Sequence, residues 1–138
     1  MINKDYKQVL RAVKLKATPG RIELLAFLTN TLQPYSIKEI GKAVGSKTLD
    51  QATIYRNLEH FREAGLVRHI DFGDGVGRFE LKTHNHHHHI ICTSCRKVED
   101  IHVERDVGPI EQKIRRKKHF TVHSHSLEFF GLCKACAK

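Results

Sequence analysis

Two Cys-x-x-Cys pairs, Cys92/Cys95 and Cys133/Cys136, hold all four cysteines of the chain and constrain its fold more than any other feature. Each CxxC turn places two sulfurs on one cation, and two turns complete a tetrahedral four-cysteine site. The segment between the pairs is longer than in a compact zinc ribbon. Such a site therefore ties the C-terminus back to the middle of the chain. Zinc has no redox chemistry and a filled all-cysteine site leaves no open position, so Zn2+ here is expected to be structural. The competing reading is a dithiol redox pair. Two such pairs, neither inside a thioredoxin-like βαβ pattern, argue against it.

A histidine-rich stretch leads into the first pair. His84 and Asn85 precede four consecutive histidines, His86 to His89, and Ile90-Ile91 connects them to Cys92. The β-branched pair predicts a strand. Side chains alternate along a strand, so His86 and His88 would face one way and His87 and His89 the other. One short strand would thus offer two pairs of imidazoles to two different metal sites. A solvated loop or a purification tag is the bland alternative. The internal position of the run and its fusion to a CxxC speak against a tag.

The chain has 138 residues, a hydrophobic share of 40% and a formal charge of +9. Length allows one domain or two small ones. The basic excess predicts an anionic partner, with nucleic acid first and a membrane surface second. Four thiolates around one Zn2+ leave a net negative charge, so the working charge lies below the formal one. No apolar run approaches the ~20 residues of a membrane span. The N-terminus lacks the apolar stretch of a signal peptide, and the expected compartment is the cytoplasm. There, CxxC pairs hold metal or do redox chemistry more often than they form disulfides.

Residues 4–15 carry Tyr6, Val9, Leu10 and Val13 on one helical stripe. Thr18 caps a second helix with Pro19 in its first turn. Ser36 and Glu39 form a capping box for a third helix, Ile37 to Val44. Asp50 or Thr48 caps a fourth helix reaching about Ala64, and Gly65 gives it a left-handed stop. Its apolar stripe is Ile54, Leu58 and Phe61, and its other face carries Gln51, Thr53, Tyr55 and Arg56. Read blandly, this is an amphipathic surface helix. Read with the helices before it, it suggests helix-turn-helix. Leu66–Phe72 and Arg78–Leu81 read as strands around a Gly73–Gly77 turn, which makes the helices a winged helix. Lys82 to Asn85 is a polar junction. The second half reads as the histidine strand, a strand over Val98–Val103, a basic helix Ile110–Lys118 with Ile110 and Ile114 buried, and a third strand over Phe120–Phe130.

Thr18-Pro19-Gly20-Arg21, Ala52-Thr53-Ile54-Tyr55-Arg56-Asn57-Leu58, Ala64-Gly65-Leu66-Val67, Phe79-Glu80-Leu81, the histidine run with its CxxC, His125-Ser126-Leu127 and Gly131-Leu132-Cys133-x-x-Cys136 together resemble the ferric uptake regulator family of bacterial metal-responsive repressors. The likeness covers Leu15 to Cys136. It implies an α+β chain, with a winged helix-turn-helix over residues 1–83 and a small α/β dimerisation and metal-binding domain over residues 84–138. It also implies a structural zinc on Cys92, Cys95, Cys133 and Cys136, and a regulatory metal on Glu80, His87, His89 and Asp100. A second site would draw on His86, His88 and His125. The family's glutamate falls near Gly108 here, so Glu111 or Glu104 would substitute. The family often takes a regulatory histidine from just before the third helix. This chain has Gln33-Pro34-Tyr35 there, and His69 is the available replacement.

The resemblance implies a homodimer on operator DNA. Tyr55 would contact thymine methyls or phosphate and Arg56 a phosphate or base. Thr53 lies on the same face, and Lys16 would reach the backbone or minor groove. The first expectation is a repressor of metal homeostasis sensing Fe2+ or Mn2+, with zinc-uptake (Zn2+) and peroxide-stress regulation as alternatives. Zinc sensors often place a cysteine near the Glu80 position, and peroxide sensors favour aspartates where this chain mixes Glu80 with Asp100. A metal-dependent hydrolase needs an open coordination position and a general base, and no HExxH stands in the chain. A zinc-storage protein would not need Tyr55-Arg56 on a helix-turn-helix. No enzymatic activity, small-molecule substrate or membrane partner is therefore expected.

Overall fold

Local signals for helix starts are met by side-chain caps. A computed structural model of the chain describes residues 5–31, 33–45, 49–82, 87–102, 107–123 and 125–138. Helix α1 (Tyr6–Ala12) starts at Asp5, whose carboxylate accepts from the backbone N–H of Lys7 and Gln8. Helix α2 (Pro19–Asn30) has Pro19 in its first turn and the Thr18 hydroxyl accepting from Arg21 N–H. A short strand β1 (Tyr35–Ser36) runs into α3 (Ile37–Val44). There Glu39 N–H donates to Ser36 Oγ at 3.2 Å, and Ser36 N–H donates back to Glu39 Oε2 at 2.8 Å. Asp50 caps α4 (Gln51–Glu63), accepting from Thr53 N–H at 2.8 Å. Thr48, the other cap considered, lies outside the described residues. Beyond α4, Gly65 takes a φ of +77°, the left-handed conformation that ends the helix.

Strands β2 (Val67–Asp71) and β3 (Gly77–Leu81) form the antiparallel wing, and β1 joins through Tyr35↔Phe79 to give the order β1-β3-β2. Ser36 serves as both strand end and helix cap, so β1 is too short to show as a period-two pattern. Leu10, Leu24, Leu28, Ile40, Ile54, Leu58 and Phe61 are fully buried and come from all four helices. Phe79 and Leu81 close this core from the wing. Each such side chain contributes about 1.5–3 kcal/mol by leaving water. The result is a winged helix-turn-helix.

The chain divides into two compact units, Met1–His84 and Asn85–Lys138. The second holds β4 (His88–Cys92), β5 (Val98–Ile101), α5 (Gly108–Lys118) and β6 (Glu128–Gly131). Its sheet has the order β5-β4-β6, with β4·β5 antiparallel and β4·β6 parallel. A parallel pair requires a long crossover, which α5 supplies. Two expectations need correction. Ile110 and Ile114 are exposed, at 59% and 36%, because among the described residues no buried core lies under α5. Strand structure in the last segment is confined to Glu128–Gly131, since only those residues pair with β4. Alternation over Phe120–His125 finds no ladder partner among the described residues. Lys82 of the expected junction is described, whereas residues 83–86 are not. Among the described residues no helix is long and apolar enough to cross a membrane.

The wing turn is held by charge. Arg78 donates to both Asp74 oxygens, at 3.0 and 2.8 Å, and its guanidinium lies 4.6 Å from the centre of the Phe72 ring. The Arg78 hydrogen bonds hold the Asp74 carboxyl down at about 2. A carboxyl with a depressed folded pKa stabilises the fold above its unfolded value, about 3.9. That contribution is lost as pH falls toward 2. Carbon-13 NMR of the carboxyl should find Asp74 still ionised at pH 3, and titrating in the ordinary carboxylate range in Arg78→Gln. A midpoint near 4 in the unaltered chain would remove this pair from the wing's stability.

Candidate metal centres and nucleic-acid interface

The parallel register of β4 on β6 assembles the four cysteines. Cys92 pairs with Gly131, two residues before Cys133. Thr93 locks the junction, donating from both N–H and Oγ1 to Gly131 O at 2.8 and 3.2 Å. The donor sulfurs of Cys92, Cys95, Cys133 and Cys136 all lie within 4.8 Å of one another, with Cys95 and Cys133 at 3.8 Å. A tetrahedral Zn–S bond of about 2.3 Å requires sulfurs about 3.8 Å apart, so the set fits zinc. The backbone N–H groups of Cys133 and Cys95 donate to Cys92 Sγ at 3.4 and 3.5 Å. They lower its pKa to about 6, favouring the thiolate that zinc needs. At Cys136 the Ser94 hydroxyl favours the thiolate, but the three neighbouring sulfurs outweigh it and push the pKa up to about 11. Four thiolates in this space need a cation.

Strand β4 presents its histidines alternately. His89 stands opposite Asp100 on β5, and His88 opposite Ile101. His87 and His89, both buried, direct Nε2 toward Asp100 Oδ1 at 3.9 and 3.7 Å, with their rings edge to face 4.9 Å apart. These separations exceed a hydrogen bond. They approach the roughly 3.4 Å between donors that share a first-row ion at about 2.1 Å. The donors fit a small divalent cation. On the other face, the His88 and His125 rings are 5.9 Å apart, and His125 Nδ1 lies 2.7 Å from Glu111 Oε1. His86 and Glu104 lie outside the described residues.

Glu80 belongs to the wing, directly across from Arg68, with Arg68 Nε 2.9 Å from Glu80 Oε1. His69 follows Arg68 and so points to the opposite face of the hairpin. There it packs edge-on to Phe79, 5.1 Å between ring centres, and fills the space over Gly77 that a Cβ would occupy. His69 is thus a packing residue of the wing and does not share a face with Glu80. Gln33 is exposed ahead of β1.

Helix α4 turns Ile54, Leu58 and Phe61 inward and leaves Tyr55, 51% exposed, and Arg56 outside. Arg56 Nη2 reaches Thr53 Oγ1 at 3.4 Å, which groups three of the expected DNA-contacting residues on the exposed surface of one helix. Arg21 has no role in the sequence reading beyond its place in Thr18-Pro19-Gly20-Arg21, yet it is the hub of this surface. It donates to Lys16 O at 3.1 Å and Asn57 Oδ1 at 3.2 Å, and lies 3.0 Å from His60 Nδ1. One guanidinium fixes the Lys16 loop against α4. Its fork of donors, rather than its charge, is what the position uses.

The cysteine cluster should carry the folding of the second unit, because structural zinc contributes about 10 kcal/mol or more to small domains. Cys133→Ser is expected to lose the tightly held zinc, measured by metal analysis after dialysis, together with the near-native circular dichroism of residues 85–138. A variant that keeps one tight zinc and its fold would disprove the assignment.

The sequence model of the ferric uptake regulator family matches residues 12–130. The peroxide operon regulator of Bacillus subtilis is 34% identical over 137 residues, covering 98% of this chain and 93% of that protein. The peroxide-responsive repressor PerR of Staphylococcus epidermidis is 35% identical over 129 residues, covering 92% and 85%. Among solved structures, the Vibrio cholerae ferric uptake regulator (Fur) is 30% identical and superposes with a TM-score of 0.73, covering 94% of this chain and all of that one. A family match running from residue 12 to residue 130 on a winged helix-turn-helix scaffold makes this chain a member of the ferric uptake regulator family.

Proposed function

We propose that this regulator is a homodimeric, metal-dependent DNA-binding repressor of the peroxide-responsive kind, with Fe2+ or Mn2+ as its regulatory metal and no enzymatic activity. The observation that carries the reading is the donor set. All four cysteines belong to the zinc cluster, so a regulatory metal has only imidazole and carboxylate donors, which suit Fe2+ and Mn2+. His87, His89 and Asp100 would hold it together with Glu80 of the wing. The names of both relatives favour the peroxide-responsive alternative over iron or manganese homeostasis. Glu80 favours homeostasis as the second reading, because the family's peroxide sensors lean toward aspartate.

The apolar edge of the second unit supports the dimer. Strand β6 lies at the sheet edge with Phe129 and Phe130 about half exposed. A bare apolar edge strand is a ready surface for a second copy. A dimer presents two copies of α4 to a pseudo-palindromic operator, with half-sites about one helical turn or a multiple apart. A metal that binds the DNA-competent arrangement a hundredfold better than the others shifts the equilibrium by ~2.7 kcal/mol. Iron(II), if held there, would supply one-electron chemistry toward peroxide that manganese(II) would not. The chain's own part is to hold that centre on neutral imidazoles and to keep α4 and Lys16 in register through Arg21.

The reading helix is tested by substitution. Arg56→Ala should cost ~1–3 kcal/mol in operator affinity. Affinity in the unaltered protein should fall steeply with salt as phosphate contacts release counterions. Wild-type affinity in Arg56→Ala, or a flat salt dependence, would move the reader off α4.

The sensor is tested by metal titration. His89→Ala and Glu80→Ala should keep zinc, fold and dimer, but lose the gain in operator binding that Fe2+ or Mn2+ gives. Activation surviving in both variants would sink the site. Hydrogen peroxide should release the iron-loaded protein from its operator and spare the manganese-loaded one. Iron-loaded protein that resists peroxide would establish the homeostasis reading instead.

A further inference from the structure

We propose that Arg68 is a built-in competitor for Glu80 that sets how much free metal the regulator needs before it responds. The inference rests on the reading of Glu80 as a regulatory ligand. Arg68 and Glu80 are direct cross-strand partners on β2 and β3 and share one face of the wing. Arg68 Nε stands 2.9 Å from Glu80 Oε1, yet its N–H is not aimed at that oxygen, so the contact is ionic rather than a directed hydrogen bond. Glu80 is buried, whereas the Arg68 side chain is 28% exposed and has water to swing into. Arg78, which shares this face, is already engaged by Asp74.

The chemistry follows from these positions. A buried carboxylate is costly without a cation beside it. In the metal-free chain Arg68 supplies that cation. A divalent ion arriving at Glu80 must take a lone pair from the same carboxylate and either sit close to the Arg68 charge or displace it into solvent. Arg68 therefore stabilises the metal-free form and repels the metal, and both effects raise the free-metal concentration at which the site fills. A neighbouring guanidinium weakens proton binding to a carboxylate by about 1–3 log units, and a metal competes for the same lone pairs. Removing Arg68 should accordingly tighten metal binding by roughly tenfold or more.

The test is a double-mutant cycle read by isothermal titration of Mn2+ into the zinc-loaded protein. Arg68→Gln should lower the Kd at least about tenfold, and it should have no effect in a Glu80→Gln background. Arg68→Lys keeps the charge but not the planar fork, and should fall between wild type and Arg68→Gln. Unchanged or weaker Mn2+ binding in Arg68→Gln, with Glu80→Gln still weakening it, would overturn the competitor role and leave Glu80 as a ligand. Tightening that persists in the Glu80→Gln background would place the effect elsewhere and also overturn it. Wild-type Mn2+ affinity in Glu80→Gln would remove Glu80 from the ligand set, and the role of Arg68 with it. If Arg68→Gln does not fold, Arg68→Lys reads the same coupling, and no tightening there counts against the proposal.

Discussion

The second unit depends on one parallel pairing, that of β4 with β6. Parallel strands cannot be joined by a tight turn, and the chain between them here includes all of β5 and α5. Closing such a loop costs entropy before any contact rewards it. The sheet that results has three strands of four or five residues. Few of its side chains are buried, and large apolar groups on β6 and α5 stay open to solvent. Hydrophobic burial within one chain is therefore a weak counterweight. The cluster of Cys92, Cys95, Cys133 and Cys136 sits where β4 and β6 end, and a metal there would act as a cross-link closing the long loop between them. A bare apolar edge asks for a partner surface in the same way. A metal there and a partner on that edge, as proposed, would compensate for a core that 138 residues, divided into two units, leave thin.

The first unit solves a different problem. Its helices bury a continuous set of leucines, isoleucines and Phe61 in one core. What it needs is precision at the surface. If α4 reads DNA, as proposed, its residues and the loop carrying Lys16 must keep a fixed offset. Apolar packing in the shared core tolerates small shifts, whereas a guanidinium bonded to Lys16 O and Asn57 Oδ1 does not. Arg21 thus sets a defined register between the Lys16 loop and α4.

Much of this was legible in the residues. Capping at Ser36/Glu39, Thr18 and Asp50, the left-handed Gly65, and the CxxC pairs each have a short-range physical cause that one sequence displays. The cysteine cluster and the split of β4 into two imidazole faces follow from spacing and from period two. What stayed hidden depended on long-range pairing. Strand β1 is two residues long and exists because Phe79 lies opposite Tyr35. The last strand is shorter than its alternation suggests because pairing, not pattern, decides where a ladder runs. Ile110 and Ile114 read as core because helical spacing cannot tell a face buried in its own chain from one left open. His69 had the right chemistry for a ligand, but its register opposite Phe79 turns it to the other face from Glu80. Arg21 and Arg68 are ordinary basic residues until their partners, far away in sequence or across a hairpin, are known.

The register of β4 also gives a reason why a histidine-rich strand and a four-cysteine cluster that fits zinc share one stretch of chain. Strand register is normally fixed by an alternating pattern, because a slip of one residue turns every apolar side chain to solvent. The run His86 to His89 has no such pattern. Slipping it by one residue against β5 would put His88 opposite Asp100 in place of His89, and the ladder would still carry imidazole on both faces. The histidines cannot specify their own alignment. Cys92 can, because it must meet three other sulfurs at the end of the same strand, and Ile91 adds a buried side chain just before it. Locking Cys92 fixes Ile91 opposite Val98 and, two residues further back, His89 opposite Asp100. A zinc at this cluster would therefore do more than hold the C-terminus. It would select which histidines face Asp100, so loss of a cysteine-bound metal would remove the alignment of these donors even where each remains chemically intact.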